Sequence, residues 1–353
     1  MIAHDYCTGC GACALSCPKK CIEMRNNKIG ELAPYIDNDR CVNCNICRNV
    51  CPQNSKPLMR YPQECLASWS REKTDWIYSA SGGIAAALYR WAINNKVMAY
   101  GCDYDENGDL SHFRLEGLND ISKAQSSKYS QSTAFRVFQE IKDALSTNKK
   151  VLFVGTPCQI AGLKNYLQVD HPGLITVDLI CHGTPPNIYL KQHIKKLGFK
   201  EKIEKIRFRG EYDQKLSIWI DSKIQYCKSN KEDVYFKAFY ANMISRNSCY
   251  FCQYAQEERC SDITIGDFWG MGKLNTIERY SERPSIILIN TKRGREFFYQ
   301  ANKELFYEYR DIKEGIQGNG RLNRPPYLSF SAKVFQILYP RLGFTYAVKF
   351  TDF

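Results

Sequence analysis

No apolar run in this sequence approaches the roughly 20 residues that a membrane-spanning helix needs, so no transmembrane segment is expected. The start, MIAHDYCTGC, lacks a charged leader followed by an apolar stretch and does not read as an export signal. There is no basic helix and no RNP-like aromatic motif, which sets nucleic acid aside as a partner. No G-x-G-x-x-G follows a candidate strand, so a standard Rossmann dinucleotide site is absent and NAD(P)H is not the expected direct donor. What is abundant is cysteine, seventeen in 353 residues. Without an export signal, cysteines at the spacings found here read as metal ligands, which need reduced thiols and a cytoplasmic setting.

The length suits one large globular domain plus a small one, and 44% hydrophobic residues supply a sizeable core. The formal charge of +12 counts every cysteine as neutral. Ligating cysteines are thiolates, and each bound cluster adds net negative charge. The remaining basic bias suits an acidic redox partner or an anionic substrate, and equally a solvated basic surface.

Two runs, CTGCGACALSCP from residue 7 and CVNCNICRNVCP from residue 41, repeat the spacing C-x2-C-x2-C-x3-C-P. In this arrangement the fourth cysteine of each run ligates the other run's cluster. One cluster is then held by Cys7, Cys10, Cys13 and Cys51, the other by Cys41, Cys44, Cys47 and Cys17. Pro18 and Pro52 turn the chain after each run, and Gly9 and Gly11 are expected to let backbone approach the first cluster. Zinc knuckles would place four ligands as two pairs, which is not this pattern. Cys21 has no place in the scheme and reads as a spare thiol. The segment resembles a two-cluster bacterial-type ferredoxin domain, assigned to residues 1–60.

Beyond Pro62 the patterns become those of an α/β domain. SASGGIAAALYRWAINNK sets Ser81-Gly82-Gly83 before an apolar helix, and VMAYGCDYDENGDLSHFRL alternates around an Asn107-Gly108 hairpin turn. Two strand–loop–helix units follow: VLFVG, TPC, QIAGLKNYL, and then LITVDLI, CHGTPP, NIYLKQHIKKLG. Consecutive β–α units place their strands parallel with right-handed crossovers. Both loops, with Cys158 and Cys181, then lie at the carboxyl edge where open α/β sheets bind ligands. Cys249 and Cys252 form a CxxC and Cys260 follows, giving four or five thiols for a third metal centre. The expected fold is α/β (α+β overall): a small two-cluster ferredoxin-like domain before a large domain with a partly parallel sheet.

SSKYSQS, VLFVGTPCQIAGLKNYL, VDLICHGTPP and SDITIGDFWG resemble the beta subunits of coenzyme F420 hydrogenases and dehydrogenases. The closer likeness is to bacterial forms fused to a ferredoxin domain, relatives of 7-hydroxymethyl chlorophyll a reductase. The resemblance covers residues 65–330 and leaves 331–353 as a basic, aromatic tail. That tail is read by default as a packed helix, with partner docking and interfacial membrane contact as alternatives. The resemblance implies FAD, beside a third 4Fe–4S cluster on Cys158, Cys181, Cys249 and Cys252, with Cys260 able to replace one of them. It maps flavin contacts to Ser81, Gly82, Gly83, Lys128, Tyr129, Gly155, Thr156, Pro157 and Asp267. A Gly-Gly turn at a helix start offers N–H groups to a pyrophosphate, although small residues there also serve close packing. Lys128 and His182 are the candidate catalytic side chains, one neutralising charge and the other donating a proton, against structural roles for both.

The implied activity is that of a flavin-dependent reductase. Reduced ferredoxin or flavodoxin feeds three clusters, and FAD delivers two electrons to a small molecule, by analogy a nucleotide sugar or glycan intermediate of surface polysaccharide synthesis. The alternatives are one component of a larger assembly working on coenzyme F420 and an electron-transfer adaptor with no substrate pocket.

Overall fold

The computed structural model describes residues 6–199, 201–209, 214–272 and 283–351. In chain order the strands are β1 (Ile22–Asn26), β2 (Leu32–Ile36), β3 (Glu64–Ser70), β4 (Met98–Tyr104), β5 (Leu110–Leu115), β6 (Val151–Gly155) and β7 (Leu174–Leu179). They continue as β8 (Lys205–Arg207), β9 (Lys215–Ile220), β10 (Lys223–Ser229), β11 (Ile263–Asp267), β12 (Ser285–Ile289) and β13 (Leu305–Arg310).

The main sheet runs β13-β3-β12-β11-β7-β6-β4-β5. Its centre is parallel, β11 to β7, β7 to β6 and β6 to β4, and both flanks are antiparallel. Every residue of β6 is buried, as a strand covered on both faces requires. The alternation divides the core. Leu152 and Val154 face the helices Ile84–Asn94 and Lys292–Ala301, while Val151 and Phe153 face Phe138–Ser146 and Pro157–Leu167. The chain is therefore α/β, and the parallel β6–β7 pair follows the strand–helix repeat of its sequence.

A second layer holds the smaller sheet β10-β9-β8. Phe208, Ile218, Tyr235, Phe236 and Tyr189 form its core. Its outer strand β10 is mostly exposed and carries Lys223 and Lys228, which discourage edge-to-edge pairing. The segment Phe330–Lys349, helical on both sides of a break at Gly343, joins this core through Phe335, Tyr339, Phe344, Ala347 and Val348, so the basic C-terminal segment is packed. Among the described residues no helix is long and apolar enough to cross a membrane.

The amino-terminal module has a β1–β2 hairpin and two short helices, Ala12–Leu15 and Ile46–Asn49. It is built into the larger body. Cys10, Ala12 and Val50 share a core with Phe138, Ile160, Leu163 and Tyr254. Gly9 and Gly11 hold φ of 68° and 73°. A Cβ on Gly9 would lie 2.5 Å from the Gln131 amide, and one on Gly11 2.3 Å from the Phe135 ring. These glycines make room for the large domain, in addition to any approach they allow to a cluster.

Candidate functional site

Three groups of thiols are brought together. Cys10 is pushed up to about 12 by burial and further by Cys7 and Cys51, and Cys13 is raised by burial and by Cys10, Cys7 and Cys51. Cys47 is raised by burial, with Cys44, Cys17 and Cys41 adding to it. Cys51 thus stands with the first run and Cys17 with the second, the crossed arrangement. Cys158 is raised far above its ordinary value by burial and then by Cys252, Cys181 and Cys249. Thiols that resist ionisation together become thiolates when iron neutralises them. Backbone N–H groups already point at sulfur, from Gly9 to Cys7 Sγ (3.3 Å) and from Thr184 to Cys249 Sγ (3.5 Å). Among the described residues none of these sets closes tightly enough on one point to grip a single ion. A four-iron cubane takes its thiolates at separate corners and does not need that closure. The donor sets fit clusters.

Cys260 lies in the same core cluster as Cys158 and Cys252 of the third set. It is 1% exposed, its thiol donates to the Pro157 carbonyl at 3.5 Å, and its charged neighbours are Asp178, Lys164 and Arg259. Cys21 is buried with Sγ 3.4 Å from Cys17 Sγ, against the second set.

The expected position of Cys158 in a loop is corrected. The helix Pro157–Leu167 starts two residues before the expected Gln159, so Cys158 lies in its first turn. Thr156 and Gln159 form a reciprocal capping box, and Pro157 sits at the first helical position where its missing N–H costs nothing. One turn further, Gly162 meets the first set. A Cβ there would lie 2.7 Å from Cys10 Cβ and 2.9 Å from its Sγ. A single helix therefore carries a thiol of the third set and packs on a thiol of the first. Tyr254, whose hydroxyl donates to Pro52 O at 2.8 Å, also has Cys260, Cys158, Cys10 and Cys252 as neighbours.

Beyond the third set, a cleft of about 350 Å³ opens at the carboxyl ends of β6, β7 and β11. Cys158 and Cys181 form part of its wall, with Ser81, Gly83, Lys128, Tyr129, Gly155, Thr156, His182 and Asp267. Gly82 and Pro157 are not wall residues. The Gly82 N–H is given to Ser285 Oγ at 2.9 Å, and a Cβ there would strike Ser68 O at 2.5 Å, so this glycine serves packing. Lys128 is pushed down to about 8 by burial, and its ammonium donates to the carbonyls of Lys123 (2.8 Å) and Gln125 (2.6 Å), ending a short helix. Tyr129 stacks on Phe239 at 4.4 Å. The His182 ring is exposed to the cleft, and partial desolvation followed by Arg321 holds its imidazole below the usual value.

Two cleft arginines were not legible from motifs. Arg209, buried in the second layer, pairs with Asp267 at 2.8 Å and donates to Ala80 O at 2.7 Å. Arg321 bonds Asn242 Oδ1 at 3.1 Å and leaves its buried Nε without a partner. A concave, partly apolar cleft with guanidinium groups and an orphaned donor fits a large aromatic cofactor bearing phosphates.

Behind the third set lies the pair Asp178–Arg259, at 2.9 Å and with both side chains at most 2% exposed. Arg259 also donates to Tyr254 O, and its backbone bridges to Arg60. Replacing Asp178 with alanine strands that charge and is expected to cost about 3–5 kcal/mol, read as a lowered urea midpoint. A midpoint within error of the parent would show that Arg259 finds another anion.

Residues 148–315 match the family model for the carboxyl terminus of the coenzyme F420 hydrogenase/dehydrogenase beta subunit, and residues 6–55 match a 4Fe-4S dicluster domain. One of the subunits of the F(420)H(2) dehydrogenase of Methanosarcina mazei is 22% identical over 91% of this chain and 89% of its own. The coenzyme F420-dependent sulfite reductase of Methanocaldococcus jannaschii is 23% identical over 84% of this chain but only 46% of its own length. A chain of the F420-reducing NiFe hydrogenase complex from Methanosarcina barkeri superposes with a TM-score of 0.49 over 75% of this chain and 92% of its own, at 19% identity. The chain carries the carboxy-terminal domain of the coenzyme F420 hydrogenase/dehydrogenase beta subunits behind a 4Fe–4S dicluster domain, and with it an iron–sulfur electron-transfer role among the oxidoreductases.

Proposed function

We propose that the chain is an iron–sulfur flavoprotein reductase, holding three 4Fe–4S clusters and one FAD and fed by reduced ferredoxin or flavodoxin. The observation that carries this reading is that Cys158 and Cys181 belong to the third thiol set and also wall the cleft. Residues 1–60 then form the donor-facing module and residues 65–330 the catalytic domain, in a reducing compartment that keeps the thiols free. When bound, the clusters supply one-electron steps and the flavin the two-electron, formally hydride, step. Gly155 and Thr156, fixed by the capping box, shape the cleft floor beside the third set, and Arg209 with Asp267 holds the wall from β11. Arg321, in the cleft wall, would take a phosphate, and His182, whose imidazole burial and then Arg321 hold below its usual value, would exchange a proton with the substrate. Lys128 positions the segment before Tyr129 through its two carbonyl bonds. A cleft of this kind favours an enzyme over an adaptor, and the guanidinium lining favours an anionic substrate such as a sugar nucleotide.

The names of the relatives favour a second reading, with coenzyme F420 as the partner in the cleft. Anaerobic mixing with reduced ferredoxin, followed by absorbance, separates the readings. Bleaching of a bound flavin supports the proposal, and clusters that reduce while the flavin stays oxidised would overturn it. Turnover of added coenzyme F420 would select the second reading.

A further inference from the structure

Among the described residues Arg246 is the largest fully buried side chain, 1% exposed. Its backbone belongs to the third thiol set. Arg246 N donates to Thr184 O at 3.1 Å, and Arg246 O accepts from Cys249 N at 2.9 Å, capping the turn that presents Cys249. Its side chain belongs to the first set. Nη2 donates to Cys7 O at 2.8 Å and to Leu32 O at 3.0 Å, and Nη1 donates to Gln131 Oε1, whose own amide donates to Thr8 O at 2.8 Å. The guanidinium is therefore clamped across the seam between two ligand loops.

Every acceptor it uses is neutral. Among the described residues no carboxylate is ion-paired with it, and its Nε has no hydrogen-bond partner. Glu31, buried on the same side, gives Oε1 to the Asn247 N–H. Arg259, the other buried guanidinium near the third set, is different because Asp178 neutralises it. An unpaired buried cation is costly unless an anion completes the site. The ligand residues themselves are one hydrogen bond away, Cys7 through its carbonyl to Nη2 and Cys249 through its N–H to the Arg246 carbonyl, so a cluster on either loop would place negative charge beside the guanidinium.

We propose that Arg246 is an electrostatic bridge between the first and third clusters, a positioning residue whose fixed charge makes both easier to reduce. The inference rests on the three-cluster reading above. Each cluster gains one electron, taken from a low-potential one-electron donor, and so becomes more negative by one charge. A cation held beside it in a low-dielectric seam stabilises that added charge. The arginine itself exchanges neither electron nor proton. The second cluster, on Cys17, Cys41, Cys44 and Cys47, lies outside these contacts and serves as an internal control.

The test is an EPR-monitored redox titration of the iron-loaded full chain, alongside Arg246→Gln and Arg246→Lys, with iron counted in each. In R246Q the first and third clusters are expected to become about tenfold harder to reduce, which is about 59 mV for a one-electron couple. The second cluster should not move. R246K keeps the charge and should hold both potentials within a few-fold of the parent, although its shorter reach gives up a carbonyl of the first loop. R246Q with full iron and unshifted clusters overturns the proposal, as does an equal shift of all three. Should R246Q fail to retain iron, R246K decides alone, because a tenfold change there means that charge is not the cause. A parent holding only about eight irons defeats the three-cluster reading instead. The first cluster's shift then still tests the arginine.

Discussion

Cys158→Ser is expected to lower iron from about twelve to about eight atoms per chain, because one absent thiolate opens a four-ligand set. Flavin should remain bound, since the cleft keeps its walls on β7, β11 and the Ser81–Gly83 turn. Reduced ferredoxin should still reduce the two amino-terminal clusters, while flavin reduction falls to background. Cys260 should not rescue the site, because its thiol is turned onto the Pro157 carbonyl, so the Cys158→Ser, Cys260→Ser double variant should match the single one. Flavin reduced at the parental rate in Cys158→Ser would take the third set off the path.

Gly162→Ala carries the second large effect, and its sign depends on two opposed terms. Alanine in a helix interior is favoured over glycine by about 1 kcal/mol. Here the new methyl would stand 2.7 Å from Cys10 Cβ, and forcing a carbon into packed surroundings costs about 1–3 kcal/mol. Overpacking is expected to win, because Cys10 is fixed by its place in a cluster loop and cannot swing aside as the end of a flexible chain does. The expected result is a lowered melting temperature with selective loss of the first cluster's EPR signal. A variant more stable than the parent, with that signal intact, would mean that the seam between helix and module is looser than described.

Local patterns gave away the elements that depend on local patterns. The repeated C-x2-C-x2-C-x3-C-P runs, the buried strand VLFVG before its helix and the Asn107-Gly108 hairpin each declare themselves within a few residues. The helix start at Pro157 was also written locally, since Thr156, Pro157 and Gln159 are a capping box with proline at the first position. Reading TPC as a loop overlooked it. What could not be read depends on partners far along the chain. Gly82 has the look of a phosphate-binding glycine, but its N–H belongs to Ser285. Lys128 resembles a free cation until the carbonyls of Lys123 and Gln125 are seen around it. Arg246 and Arg209 carry no periodic or motif signal, and only the docking of distant segments turns them into buried charges at a seam and a cleft.

A line of three clusters ending at a flavin is tested most directly by one measurement. Iron, acid-labile sulfide and flavin are to be counted per chain on protein purified and reconstituted without oxygen. About twelve irons, about twelve sulfides and one FAD are expected, since twelve cysteines fall into three four-thiol sets. No more than about eight irons after full reconstitution, tightly held zinc at Cys249 and Cys252, or an empty cleft in the presence of excess FAD would contradict it.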